Sequence, residues 1–131
     1  MCIFCKIING EIPNYTVYED ENSLAFLDIN PRSKGHTVVI PKKHVETPFE
    51  LDDELLSKLI IATKKAMEKI DFALKPDGYN VGWNQKETAG QVVPHLHLHI
   101  LPRWQGDGGG NIHSIINRPG TEKVEDVFRL F

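Results

Sequence analysis

The sequence predicts a single α+β domain in which one long helix packs against several short strands. Its length of 131 residues is about that of one domain. The chain has several short β-branched or aromatic runs bounded by turn residues, and one long segment whose apolar residues recur every three or four positions. Hydrophobic residues make up 40% and charged residues 25%, so we expect the chain to bury a substantial core.

The first half of the chain carries three predicted strands. Thr16–Glu19 and Ser23–Leu27 flank a short polar turn, a pattern typical of a hairpin. Residues 30–35 contain a proline, a serine and a glycine and predict a loop. The β-branched run 37–40 ends at a proline and is typical of a buried strand.

The second half begins with the helix, which we predict over residues 51–74. Acidic residues cluster in its first turn, where the helix dipole favours them. Its apolar face comprises Leu55, Leu59, Ala62, Ala66, Ile70 and Ala73. Pro76 and Gly78 end the helix, and residues 79–84 and 96–101 are the remaining predicted strands.

Residues 105–131 differ in character from the rest of the chain. The segment 105–110 is rich in glycine and is expected to be flexible. Residues 121–131 predict a short amphipathic helix with Val124, Val127, Phe128 and Phe131 on its apolar face. We expect this tail to pack on its own domain; the alternative is that it crosses to a second subunit.

Charge and hydropathy narrow the class of partner. Fifteen Lys and Arg against eighteen Asp and Glu give a formal charge of −3, which provides no strong field for nucleic acid or an anionic membrane. The longest apolar runs are far below the ~20 residues of a membrane span. The first residues lack the apolar core of a secretory signal. We therefore expect a cytoplasmic protein with neither nucleic acid nor membrane as a partner.

The two cysteines, Cys2 and Cys5, form a C-x-x-C motif at the start of the chain. A disulfide across so short a loop would restrict the unfolded chain very little. Metal binding is the stronger functional interpretation in a reducing compartment, although two ordinary thiols fit the motif equally well. A tetrahedral zinc site would need two further ligands, for which histidines are the obvious source.

Three alternating histidines, His95, His97 and His99, form the most informative segment of the sequence. Side chains alternate across a strand, so the histidines share one face and the intervening leucines face the core. They could bind a metal, or one of them could attack phosphorus; exposed histidines on a sheet are the structural alternative. The preceding loop, residues 84–91, supplies amide side chains and a glycine suited to holding a phosphate.

In these motifs the sequence resembles the histidine triad (HIT) family of nucleotide hydrolases and transferases. The signature H-x-H-x-H with apolar residues between the histidines spans residues 95–101, and the segments 2–8, 24–29, 35–44 and 89–91 match family blocks in the family order. The match covers about residues 2–104.

The resemblance implies a HIT domain over 1–104, followed by a glycine-rich segment and tail over 105–131. It implies the HIT-like α+β fold, an antiparallel sheet of about five strands with one long helix and short flanking helices. It also implies a homodimer in which the two sheets are continuous.

The resemblance further implies a covalent mechanism. His97 would attack the α-phosphate of a nucleotide, with its other ring nitrogen bonded to the carbonyl of His95. His99 would donate to a phosphate oxygen, His36 would flank the site, and the amide of Gln91 would lie at the phosphate. The product would be a nucleotidyl-histidine that water hydrolyses. The alternative is a purine-nucleotide-binding regulatory module with negligible turnover.

The nucleotide pocket is implied in the same way, residue by residue. The base would lie among apolar side chains, for which ordinary core packing is the alternative explanation: Ile3, Phe4, Ile7, Phe26 and Ile29. Asp28 would bind the ribose hydroxyls, and Asn84 would contact ribose or phosphate. Substrates would be nucleoside phosphoramidates, acyl- or sulfo-adenylates, or dinucleoside polyphosphates, with a purine preferred.

Some family members hold a structural zinc, which here implies the ligands Cys2, Cys5, His44 and His95. The chain departs from the phosphoramidase pattern at one position, because Val92 stands where many members have a serine that assists the leaving group. Arg103, which follows the triad, suggests a cation for the extra phosphates of a dinucleoside polyphosphate.

Overall fold

A computed structural model describes residues 1–131 and confirms the predicted α+β class. One five-stranded sheet has the order β1-β2-β3-β5-β4, and every neighbouring pair is antiparallel. The strands are β1 (Thr16–Glu19), β2 (Ser23–Leu27), β3 (Thr37–Pro41), β4 (Gly78–Gly82) and β5 (Leu98–Arg103). The helices are α1 (Ile3–Ile8), α2 (Asp53–Leu74) and α3 (Val124–Phe128), with single 3-10 turns at Pro48–Glu50, Glu87–Ala89 and Ile112–Ser114.

Helix α2 forms because its ends are well capped and its apolar residues share a face. The carboxylate of Asp52 accepts a hydrogen bond from the amide of Leu55 at 2.8 Å, which satisfies one of the free donors of the first turn. Lys75 closes the helix in the left-handed conformation, with φ of 51°. The periodicity correctly predicts the buried residues Leu59, Ala62, Ala66 and Ile70. Leu55 is partly buried, and Ala73, at the last turn, is exposed. No helix of the chain combines the length and the apolar composition needed to cross a membrane.

Both faces of the sheet are covered, which explains why β2 and β3 are buried almost throughout. On one face, α2 packs on a core that includes Ala25, Val39, Leu96, Leu98 and Ile100. On the other face, α1 contributes Phe4 to a smaller cluster with Leu24, Phe26, Val38 and Ile40. Val38 lies directly opposite His99 in the β3–β5 ladder, so His99 points to the face of the smaller cluster.

Helix α1 is one of the short helices that the fold class includes, but nothing in its own sequence predicts it. Three of its six residues are isoleucines, which favour strands. The thiol of Cys2 caps it by accepting a hydrogen bond from the amide of Cys5 at 3.3 Å. A thiol at this position is not one of the preferred capping residues.

The boundaries of β4 and β5 differ from the prediction. Strand β5 begins at Leu98, opposite Val39, rather than at residue 96. The amide of Leu96 donates to the carbonyl of Val45 at 2.6 Å and is therefore outside the ladder. The strand also continues through Pro102, where β4 is the only neighbouring strand and a proline is tolerated. Strand β4 ends at Gly82 rather than at residue 84.

The tail contradicts the expectation that it packs on its own domain. Every residue from Gln105 onward is exposed. The short helix is present as α3, but Phe128 is 75% exposed and Phe131 is fully exposed. The predicted amphipathic face therefore has no partner within one chain.

Candidate active site

The alternation of the three histidines extends beyond the ladder, although only His99 lies within β5. The ring of Phe4 packs edge-on against the rings of His95 and His97, with centroid distances of 5.8 and 5.1 Å. The rings of His97 and His99 are 5.0 Å apart. All three imidazoles thus lie on the α1 face of the sheet, while Leu96 and Leu98 join the core under α2.

His97 is held in one orientation by the main chain. Its Nδ1 lies 2.7 Å from the carbonyl oxygen of His95, which can only accept, so Nδ1 carries the proton and Nε2 has a free lone pair. Nε2 has no hydrogen-bond partner in the chain. The only buried side-chain polar atoms without a partner are the hydroxyls of Ser23 and Ser33, so the Nε2 of His97 is reached by solvent. This geometry presents an unprotonated nitrogen as a nucleophile.

His36 and His99 form a second pair beside this nitrogen. The Nε2 of His36 lies 3.0 Å from the Nδ1 of His99, and 3.7 Å from a carboxylate oxygen of Asp28. Burial lowers the pKa of His36 below its usual value. Burial, followed by repulsion from the neighbouring imidazoles, lowers the pKa of His99 to about 4. Both rings are therefore neutral at pH 7.

The four predicted zinc ligands converge at one point. The Sγ atoms of Cys2 and Cys5 are 3.2 Å apart, and the Nδ1 atoms of His44 and His95 are 3.1 Å apart. The four sulfur-to-nitrogen distances lie between 3.3 and 3.7 Å. A tetrahedron with bonds of about 2.3 Å to sulfur and about 2.0 Å to nitrogen has edges of about 3.5 Å between sulfur and nitrogen and about 3.3 Å between nitrogens, which these distances approach. The two sulfurs are about 0.6 Å closer than the edge of about 3.8 Å expected between them, so they would move slightly apart around a zinc ion.

The ring of His95 also has the outer contact typical of a metal ligand. Its Nε2 donates to the carbonyl of Pro41 at 2.8 Å, which leaves Nδ1 unprotonated and directed at the other three donors. Phe4 packs against the same ring. The side chain of His95 therefore belongs to this cluster of four donors, whereas its carbonyl accepts the bond from His97.

The predicted base-binding residues separate into two groups. Phe4 and Phe26 are buried and pack edge to face with centroids 5.8 Å apart, and Ile7 packs against their cluster. Ile3 is half exposed and Ile29 is largely exposed. The first group forms a wall beside the imidazoles, and the second is free to contact a ligand.

Asp28 follows β2 and lies near the histidine pair. One of its oxygens accepts the amide of Asn30 at 2.8 Å, and the other is the oxygen near His36. Asn84 is exposed, and its side chain lies against Gly90, where an added Cβ would be 3.5 Å from the amide nitrogen. Both side chains have polar atoms available to a ligand.

Gln91, which is predicted to lie at the phosphate, forms three hydrogen bonds within the chain. Its carboxamide oxygen accepts the amide of Lys86 at 2.7 Å. Its nitrogen donates to the carbonyls of Glu46 and Val93, at 2.9 and 3.2 Å. Both donors are thus occupied, and Gln91 ties the loop before the triad to the loop before α2.

The guanidinium of Arg103, the cation suggested for extra phosphates, is likewise bonded within the chain. Its guanidinium forms two bonds of 2.7 and 2.8 Å to the carboxylate of Asp107, and further bonds to Asn80 and to the carbonyl of Gly110. Arg103 pairs with Gly78 in the sheet, whereas His99 pairs with Gly82. It lies at the other end of β5 from the histidines and fixes the start of the tail.

Apart from the carbonyl of His95, the main-chain groups of the site could not be predicted from the sequence. The amide of Arg32 donates to the Nδ1 of His36 at 3.1 Å, and the carbonyl of Pro41 orients His95. No residue type encodes these contacts, because every residue has a main-chain carbonyl and every residue except proline has a main-chain N–H. The proline and glycine of the loop 30–35 are the only sequence signal near Arg32.

Comparison with known proteins agrees with this geometry. The HIT domain model matches residues 9–106. An uncharacterised HIT-like protein of Methanocaldococcus jannaschii is 58% identical over 111 residues, which is 82% of this chain and 83% of that protein. The protein of Schizosaccharomyces pombe named adenosine 5'-monophosphoramidase hnt1 is 46% identical over 102 residues, covering 78% of this chain and 74% of that protein.

Solved structures share the fold. The crystal structure of a HIT-family protein from Bacillus subtilis superposes with a TM-score of 0.85 at 45% identity, covering 98% of this chain and 91% of that one. A zinc-bound histidine triad family protein from Mycobacterium smegmatis has a TM-score of 0.77 at 38% identity, covering 82% and 78%. The triad, the sheet that carries it and these similarities lead to one conclusion: the chain belongs to the HIT family.

Proposed function

We propose that this protein is a hydrolase or transferase that releases nucleoside 5'-monophosphates through a nucleotidyl intermediate on His97. The observation that carries the proposal is the unprotonated, solvent-accessible Nε2 of His97, fixed by the bond from Nδ1 to the carbonyl of His95. The name of the Schizosaccharomyces pombe relative supports a phosphoramidate as one substrate.

The reaction has two displacements at phosphorus. The Nε2 of His97 attacks the α-phosphorus, a nitrogen–phosphorus bond forms, and the bond to the leaving group breaks. The leaving group departs with the bonding electrons and takes a proton from solvent. Water then attacks the same phosphorus, releases the nucleoside monophosphate and restores the imidazole. His99, whose ring is 5.0 Å from that of His97, donates to a phosphate oxygen as charge develops.

The purine nucleoside would lie along the α1 face of the sheet. Phe4 and Phe26 line one side of the base, and the exposed side chains of Ile3 and Ile29 can close over it. Asp28 would accept from the ribose hydroxyls, and Asn84 would reach ribose or phosphate from the loop after β4. A purine offers the larger flat surface for these apolar contacts.

Release of AMP from adenosine phosphoramidate tests the proposal. We expect turnover by the intact protein, loss of turnover in His97→Ala, and no change in His113→Ala, because His113 lies in the exposed tail. AMP binding without release by the intact protein would support the regulatory-module alternative instead. Retention of activity in His97→Ala would refute the covalent mechanism.

Val92, which lies between the loop 84–91 and the triad, indicates which leaving groups are favoured. Val92 is 89% exposed and has no proton to donate, so leaving groups that depart unprotonated are expected to react fastest. Introducing a hydroxyl with Val92→Ser should increase turnover of the phosphoramidate more than that of an acyl-adenylate. Equal effects on the two substrates would contradict this role.

We also propose that Cys2, Cys5, His44 and His95 hold one structural zinc per chain. The closed four-donor set leaves the metal no open position, so its contribution is to fix α1 beside the triad. Metal analysis should find one zinc in the intact protein and in His97→Ala, and none in Cys5→Ala. Loss of zinc from His97→Ala would show that the metal lies elsewhere.

Finally, we propose that the protein works as a homodimer in the cytoplasm. Ile60, Ile61 and Phe72 of α2 are exposed, as are the apolar residues of the tail. A reducing cytoplasm would keep the two cysteines available for zinc. Sedimentation should give twice the mass of one chain, and Phe72→Ser or Phe128→Ser should weaken the association. A monomer at micromolar concentration would refute the dimer.

A further inference from the structure

The loop between β2 and β3 directs one main-chain amide at a buried imidazole. The amide nitrogen of Arg32 lies 3.1 Å from the Nδ1 of His36, whose side chain is only 5% exposed. An amide nitrogen can donate a hydrogen bond and has no lone pair with which to accept one. The Nδ1 of His36 is therefore the acceptor and carries no proton.

This constraint passes from His36 to His99. A neutral imidazole that lacks a proton on Nδ1 must carry it on Nε2. The Nε2 of His36 lies 3.0 Å from the Nδ1 of His99, so His36 is the donor of that bond and His99 is the acceptor. The neutral ring of His99 must then carry its own proton on Nε2, which has no partner in the chain and is reached by solvent.

We propose that the main-chain amide of Arg32 sets the tautomers of His36 and, through it, of His99, so that His99 presents an N–H at the site. His97 has the opposite tautomer, with the proton on Nδ1, because a carbonyl rather than an amide faces that nitrogen. Two rings 5.0 Å apart thereby present a lone pair and a donor side by side. His36 is a positioning residue in this scheme. The consequence for turnover rests on the function proposed above, whereas the tautomers themselves do not.

The loop is built to hold this amide in place. The amide of His36 donates to the carbonyl of Ser33 at 3.0 Å, and the carbonyl of His36 accepts the amide of Asp28 at 2.9 Å. Gly35 takes φ of 82°, a conformation that side chains disfavour, and its Cα approaches Leu74 so closely that an added Cβ would lie 2.5 Å from Cδ1. The turn is thus fixed at both ends and packed against α2.

The cluster of Asp28, His36 and His99 holds a proton on the Nε2 of His36 rather than a metal ion. The three side chains place one ligand atom each within 4.8 Å of one another. A metal on the Nε2 of His36 would displace the proton to Nδ1, where it would face the N–H of Arg32 as a second donor. The bond from Arg32 therefore opposes metal binding at this position.

Nitrogen NMR of the zinc-loaded, substrate-free protein tests the tautomers directly. Long-range proton–nitrogen correlations should show His36 and His99 with protonated Nε2 and unprotonated Nδ1, and His97 with the reverse. Scalar coupling across the hydrogen bond should connect the amide nitrogen of Arg32 to the Nδ1 of His36. A protonated Nδ1 on either His36 or His99 would overturn the proposal, whether or not the protein hydrolyses nucleotides.

A matched pair of variants tests the amide as the cause. Arg32→Pro removes the N–H, whereas Arg32→Ala removes the side chain and keeps it. We expect Arg32→Pro alone to give mixed tautomers at His36 and His99. Complete loss of an oxyanion donor costs about 100-fold in kcat, so partial loss should lower kcat about ten-fold with little change in KM. Unchanged tautomers in Arg32→Pro, or equal loss in both variants, would refute the amide's role.

Discussion

Lys86 adopts backbone angles that residues with a Cβ avoid, and we expect Lys86→Gly to stabilise the protein. Its φ of 70° and ψ of 162° lie in a region that is almost exclusive to glycine. The strain is maintained by contacts on both sides, because its amide donates to the side chain of Gln91 and its carbonyl accepts the amides of Ala89 and Gln91. The loop before the triad depends on this conformation.

The expected gain follows from opposing contributions. Relief of strain at such a residue is worth about 2 kcal/mol. The greater freedom of glycine in the unfolded chain costs about 0.7 kcal/mol. The ammonium of Lys86 pairs with Glu46 at 3.2 Å, but exposed pairs of this kind contribute about 0 to 1 kcal/mol. Lys86→Ala loses the ion pair and keeps the strain, so the glycine variant should be about 1 kcal/mol more stable than the alanine variant.

Urea unfolding of zinc-loaded protein at one fixed concentration measures this difference. With a slope of about 2 kcal/mol per molar urea, the midpoint of Lys86→Gly should exceed that of Lys86→Ala by about 0.5 M. The two slopes should agree, because neither variant changes the surface buried on folding. An alanine variant as stable as the glycine variant would show that Lys86 is unstrained and that the loop has another conformation.

Three further outcomes follow from the described contacts. The pKa of His99 is about 4 in the folded protein and about 6.5 when unfolded, so the unfolded chain binds more protons between these values. The free energy of unfolding should therefore fall by up to about 3 kcal/mol as the pH decreases from 6.5 to 4. His99→Asn should remove this decrease when the free energy of unfolding is measured by urea unfolding at each pH. Arg103→Ala should accelerate proteolysis between residues 105 and 111, whereas Arg129→Ala, which removes only an exposed ion pair, should not. Gly35→Ala should destabilise by about 1 to 2 kcal/mol in thermal unfolding, from strain at positive φ; unchanged stability would mean that the turn tolerates a Cβ.

The main features of the fold could be predicted from local sequence. The hairpin of β1 and β2, the strand β3 and the face of α2 follow from alternation and periodicity, because those patterns directly record which side is buried. Helix α1 could not be predicted this way. Its isoleucines favour a strand. The helix is stabilised by the thiol cap of Cys2 and by the packing of Phe4 against His95 and His97, which lie 91 and 93 positions later in the sequence.

The candidate site, like the fold, could be predicted from local sequence only in part. The histidines of the triad are visible in the sequence, and their alternation predicts a shared face. The contact of His36 with His99 depends on the long-range register that places Val38 opposite His99, which no local pattern contains. The intrachain contacts of Gln91 and Arg103 could not be predicted for a related reason. Their side chains are polar and near the triad in sequence, but their hydrogen bonds are made to backbone and tail groups that only the folded chain brings near.

His95 contributes to the proposed zinc site and to the proposed nucleophile through two different parts of the residue. A side chain can be replaced by mutation, whereas the peptide carbonyl that accepts from His97 is present whatever residue occupies the position. Substitution at Cys2, Cys5, His44 and His95 would thus remove the metal donors without removing the acceptor that orients the nucleophile. In evolutionary terms the metal is separable from the chemistry, so a descendant could replace it with apolar packing at these four positions and inherit a working imidazole.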